Sequence, residues 1–157
     1  GVGIVNDDYE STMSRCRQDF IRKWGDWIQN DEFQFPIINP KYDIGIIFES
    51  KDINLLSHLE PWCSTIYVNT GLLQDYIQAE QPNTSFNLNE RVKPFDNEKN
   101  NEILITIGST FTQQDFQLIQ KLSAIIKDSG EIGEFELGNL KIEIFKIKDN
   151  INDLICL

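Results

Sequence analysis

The run "YDIGIIFES" constrains this chain more than any other. Ile44, Ile46, Ile47 and Phe48 form a nearly unbroken apolar stretch of strand length. A strand wetted on one side alternates apolar and polar residues, whereas a strand covered on both sides does not. The stretch predicts a central strand of a parallel sheet, and parallel strands need long crossover connections, usually helices. Further strands follow over "STIYVN" and "EILITIG". The connecting helices are legible too. One starts near Asp52, turns Leu55, Leu56 and Leu59 inward, and is stopped by Pro61 near Glu60. Another spans "TGLLQDYIQAEQP", with Thr70 as cap, Leu72, Leu73, Tyr76 and Ile77 inward, and Pro82 beyond its end.

The clearest helix is "TQQDFQLIQKLSAIIKDSG". Thr112 caps it, Asp115 takes the capping-box position and Gly130 closes it. Phe116, Ile119, Leu122 and Ile126 mark its inner face. The segment "FELGNLKIEIFKI" alternates around Gly138-Asn139, a two-residue hairpin turn. Toward the start, Val2 to Val5 read as a short buried strand. Met13, Cys16, Phe20, Trp24 and Trp27 then form a helical apolar stripe, capped by Ser11 or Asp8, with Arg15, Arg17, Arg22 and Lys23 on a solvated face. "FPIINP" is a weak strand cornered by Pro36 and Pro40. From 83 to 101 the pattern lapses into polar residues, which predicts a mobile loop or an insertion. The expected fold is α/β: one domain over 1–157, a three-layer Rossmann-like sandwich whose mostly parallel sheet ends in a C-terminal antiparallel hairpin.

Charge narrows the partners. The chain has 157 residues, 25 acidic against 14 basic, and a net charge of −11. Phosphate backbones demand a basic surface, so nucleic acid is excluded as the main partner, and an anionic membrane surface is disfavoured likewise. The apolar runs are too short to span a bilayer. Cys16, Cys63 and Cys156 are odd in number, dispersed and free of any C-x-x-C pattern. They predict reduced thiols and a cytoplasmic setting rather than a disulfide framework or zinc site. "NTS" at 83–85 matches a glycosylation sequon, which chance supplies in so Asn-rich a chain. The leading Gly, where Met would stand, fits an excised domain, a processed chain or a tag remnant.

Open parallel sheets bind ligands outside the carboxyl ends of their strands. That rule selects Asn6, Asp7 and Asp8 after the first strand, Glu49 and Ser50 after "YDIGIIF", Asn69 and Thr70 after "STIYV", and Ser109 and Thr110 after "EILITI". Asp7, Asp8 and Glu49 supply the carboxylates that a hard cation such as Mg²⁺ requires. The same residue types are also what any strand-to-helix turn uses to cap the next helix, and one mechanism then covers them all. The acids in "IVNDD" and "IIFE" resemble the layout of a receiver domain, which implies a phosphoacceptor Asp. Glu49 stands nearest that place, and "ITIGST" lacks the Lys such domains carry after their last parallel strand. The terminal helix and hairpin resemble the end of a methyltransferase-like sheet, but "NDDYES" follows the first strand where that fold needs its glycine-rich loop.

No G-x-G-x-x-G, P-loop or G-x-S-x-G motif occurs, and the single histidine, His58, reads as an exposed or capping helix residue. The leading expectation is a non-catalytic domain acting through contacts with a protein partner, alone or as part of a larger protein or assembly. One alternative is a nucleotide- or nucleotide-sugar-dependent transferase with its site at the carboxyl edge of the sheet and Mg²⁺ as cofactor. Another is an acidic inhibitor or immunity-like protein for a basic partner.

Overall fold

Six strands form one sheet in the computed structural model, which describes residues 15–24, 29–30, 32–34, 36–37, 41–108 and 110–147. Residues 15–24 are helical (α1). β1 (Gln29–Asn30) and β2 (Pro36–Ile37) pair as a small antiparallel ribbon. Then come β3 (Ile44–Phe48), α2 (Ile53–Leu59), β4 (Thr65–Val68), α3 (Thr70–Glu80), α4 (Leu88–Arg91) and β5 (Val92–Pro94). β6 (Ile103–Ile107), α5 (Gln113–Ser129), β7 (Gly133–Leu137) and β8 (Leu140–Ile144) complete the order. The sheet runs β5-β4-β3-β6-β8-β7, with β5, β4, β3 and β6 parallel to one another, β8 antiparallel to β6, and β7 antiparallel to β8.

The strand register sorts the side chains into two unlike faces. Ile46 lies beside Ile66 and Ile105, Ile66 beside Val92, and Ile105 beside Ile142. These residues are buried together with Phe48, Val68, Ile103, Ile107, Leu140 and Ile144. Leu56 and Leu59 of α2, Tyr76 of α3, and Ile119, Leu122 and Ile126 of α5 join the same core. The opposite face carries Ile47, Tyr67, Leu104 and Thr106 on its central strands and Lys93, Lys141, Glu134 and Glu143 toward its margins. The described residues therefore build two layers, helices on one apolar face of a mixed sheet, and no described helix covers the other face.

That second face is crossed by chain, not by a helix. β3, β4 and β5 step outward through helical crossovers, and the return from β5 to β6 crosses the opposite face. Residues 95–102 make the return. Lys99 Nζ lies 5.0 Å above the Tyr67 ring. Tyr67 Oη donates to Asn101 Oδ1 at 2.6 Å, and Asn101 Nδ2 donates to Asp43 Oδ1 at 2.7 Å. Asn101 sits on Gly45, where a Cβ would stand 2.4 Å from its Oδ1. The glycine within "DIGIIF" therefore serves the close approach of the returning chain.

Several expectations shift in detail. The cap of α3 is Asn69, whose side chain accepts from the Gly71 N–H, and Thr70 is its first helical residue. The stretch 83–101, read from its polarity as a mobile loop or an insertion, holds α4 and the third parallel strand, with Leu88 and Val92 buried. The α1 stripe is displaced: Ile21 and Arg22 are buried, while Cys16 and Trp24 are exposed. The terminal helix matches the sequence reading closely, with its Thr112–Asp115 capping box and Gly130 in the left-handed conformation. The Val2–Val5 strand and the Ser11 and Asp8 caps lie outside the described residues.

Candidate functional site

The carboxyl edge gathers most of the residues selected from sequence. Glu49 and Ser50 follow β3, Asn69 and Thr70 follow β4, and Thr110 follows β6. Asn6, Asp7, Asp8 and Ser109 lie outside the described residues. Glu49 is exposed and its N–H donates to the Ile107 carbonyl. Ser50 Oγ accepts from the Asp52 N–H, and the Thr110 carbonyl accepts from Asn139 Nδ2. Among the described residues no three His, Cys, Asp or Glu side chains come together as a metal site.

An open cleft starts at this edge, where α2 and α5 diverge from the adjacent strands β3 and β6. Asp52, Asn54, His58, Thr112, Gln113 and Phe116 line it. The Asn54 carbonyl lies 2.7 Å from His58 Nδ1. A carbonyl only accepts, so Nδ1 carries the proton of the neutral ring and Nε2 is left as acceptor. The His58 ring meets Phe116 edge-on at 6.5 Å. Both helix N-termini at the cleft already hold a carboxylate. Asp52 Oδ1 accepts from the N–H groups of Asn54 and Leu55. Asp115 accepts from the Thr112 N–H and hydroxyl, and from the Asn139 N–H and side-chain amide. Burial pushes the Asp115 carboxyl up, but these hydrogen bonds outweigh it and hold the group below the usual carboxylate range. The positive ends of both helix dipoles are thus neutralised where a phosphate would need them.

The opposite edge hides a larger polar cluster. Glu60 and Arg22 are both buried. Arg22 NH2 donates to Glu60 Oε1 at 2.7 Å and its Nε contacts both carboxylate oxygens at 3.1 Å. Arg91 Nε donates to Glu60 Oε2 and Tyr76 Oη to Oε1, each at 2.9 Å. Arg22 also pairs with Asp19 at 2.8 Å, and Arg91 donates to the Glu60 and Cys63 carbonyls. Burial alone would raise the Glu60 carboxyl, but the two guanidinium groups outweigh it and hold the carboxyl below its usual value. Burial pushes the Cys63 thiol up, which leaves it protonated and unreactive. Glu60 accepts from Arg22, Arg91 and Tyr76, so the cluster clamps α1, α3 and the end of α4 together and offers no acid or base for a reaction. Sequence reasoning placed Arg22 on a solvated face and passed over Glu60 and Arg91. The available signal was a carboxylate set among apolar residues in "LSHLEPWC".

A third region is apolar and open. Among the described residues β7 pairs only with β8. Its Gly133, Phe135 and Leu137 alternate with exposed Glu134 and Glu136. Leu122, Ile125 and Ile126 of α5 overhang Phe135 and Leu137, leaving an apolar groove along the strand with Glu131 at its mouth. Ile132 and Phe145, next to the Gly133–Ile144 pair, are 62% and 55% exposed. The hairpin is anchored rigidly. Gly138 has φ 58°, and a Cβ there would stand 2.5 Å from Asp115 Oδ1. Asp115 thereby ties the β7–β8 turn to the first turn of α5.

No protein-family model, no curated protein and no solved structure matches the chain. No described helix is long and apolar enough to cross a membrane.

Proposed function

We propose that this is a non-catalytic α/β domain that works by contact with a protein partner through the β7 side of its sheet. The observation that carries this reading is the β7 edge, unpaired among the described residues, with an apolar groove beside it and the exposed Ile132 and Phe145 at its end. Exposed apolar side chains beside an unpaired strand edge are a usual mark of an interaction site. The carboxyl-edge cleft supports an enzyme less well, because Asp52 and Asp115 occupy the helix ends a nucleotide phosphate would use.

The transferase alternative rests on Asp7, Asp8 and Glu49 as Mg²⁺ ligands. A Rossmann-like sandwich belongs to the same proposal, on the strand order of the parallel half: third, second, first, fourth. The test places a photoreactive amino acid at Phe145, or at Gln117 on the outer face of α5. The expected result is one crosslinked species from Phe145, none from Gln117, and loss of that species in Ile132→Asp at unchanged melting temperature. A melting temperature raised by nucleotide with Mg²⁺, together with no crosslink from Phe145, would favour the transferase.

A further inference from the structure

We infer that the partner binds as an added β-strand: an extended segment that alternates basic and apolar residues and pairs with β7. The inference rests on the protein-contact reading and specifies its geometry. The two-residue turn at Gly138-Asn139 makes Leu137–Leu140 the closing hydrogen-bonded pair of the hairpin. Alternation then makes Phe135–Ile142 a hydrogen-bonded pair and turns the N–H and C=O groups of Glu134 and Glu136 outward.

An incoming strand meets those groups with its own backbone, and its side chains alternate between the two faces. On the helix side they fall beside Phe135 and Leu137, against Ile125 and the groove, so that face selects apolar residues. On the bare side they fall beside Glu134 and Glu136, with Glu143 one strand further in and Lys141 the sole base of that register group. That face selects lysine or arginine. A second copy of this chain fits poorly, because antiparallel pairing of two β7 strands would set glutamates against glutamates.

The probe is a capped nine-residue peptide alternating lysine and valine, titrated to millimolar concentration against the whole chain and followed by amide NMR. Hydrogen exchange at Glu134 and Glu136 should slow by at least about tenfold at saturation. Methylating alternate peptide amides should abolish binding in one phase and leave it intact in the other, since an added strand donates from one edge only. A glutamate-valine peptide should not bind. Glu134→Gln with Glu136→Gln should weaken the lysine-valine peptide about tenfold without moving the melting temperature. Absence of binding, equal binding of both methylated phases, or self-association through β7 would each overturn the inference. Persistent Phe145 crosslinks with unchanged exchange at Glu134 and Glu136 would leave protein contact standing and remove strand addition alone.

Discussion

At one margin of the sheet β5 runs for three residues and ends at Pro94, which has no N–H to offer a neighbour. At the other, β7 runs for five residues with two outward-facing N–H groups and an apolar groove beside it. The residue just before β5 is Arg91, fixed to Glu60 and through it to Arg22. The hinge of the β7 hairpin is also fixed, by Asp115, but its strand is left uncovered among the described residues. Both margins are tied down by side-chain hydrogen bonds, and on the proposed reading only β7 accepts another strand. The contrast separates what stabilises this fold from what it offers to a partner.

Glu60→Gln should produce the largest effect. It leaves two guanidinium groups buried without their carboxylate, which costs about 3–5 kcal/mol in such cases. Urea unfolding monitored by circular dichroism measures it. The wild-type contribution should depend on pH in a defined direction. Glu60 is held below its usual 4.5, so its stabilisation is full above pH 4.5 and is lost as pH falls through the lower folded value. In Glu60→Gln the acid limb of the stability profile should flatten.

Ile119→Ala in the helix layer should cost about 2–5 kcal/mol in the same unfolding assay, because Ile119 is buried against the sheet. A loss below about 0.5 kcal/mol is the surface range and would remove it from the core.

Asn139→Ala should cost about 1–2 kcal/mol by withdrawing its side-chain amide from Asp115 and the Thr110 carbonyl. It should also speed amide exchange along β7 more than along β4, since the turn keeps only its backbone N–H bond to Asp115. Equal exchange in both strands would mean that the tie does not hold the hairpin.

Glu134→Gln with Glu136→Gln should have the smallest effect on stability, within about 0.5 kcal/mol, because both side chains are exposed. A larger destabilisation would show that the acidic edge serves the fold and not a partner.

The helices and central strands were legible because local signals agreed with tertiary ones. In α5 the capping box, the apolar spacing and Gly130 all describe one helix. In β3 the apolar run marks a central strand, though Gly45 gained its meaning only from Asn101, 56 positions later in the chain. The buried ion cluster was illegible for the same kind of reason. Arg22, Glu60 and Arg91 are far apart in sequence, and only Glu60 carries a local signal, its apolar setting in "LSHLEPWC". β5 escaped because a three-residue edge strand is too short to show a period. Of the selected loop residues, the described ones, Glu49, Ser50, Asn69, Thr70 and Thr110, stand at the carboxyl ends of their strands. Their hydrogen bonds, such as Asn69 to Gly71, are those of helix caps and turns.

Hydrogen exchange of single amides in the free protein tests the open edge most directly. Glu134 and Glu136 should exchange quickly, as amides that face solvent do, while Phe135 between them should be protected by its bonds to β8. Protection of Glu134 and Glu136 equal to that of Phe135 would mean that another part of the chain already pairs with β7, and would contradict its role as a docking edge.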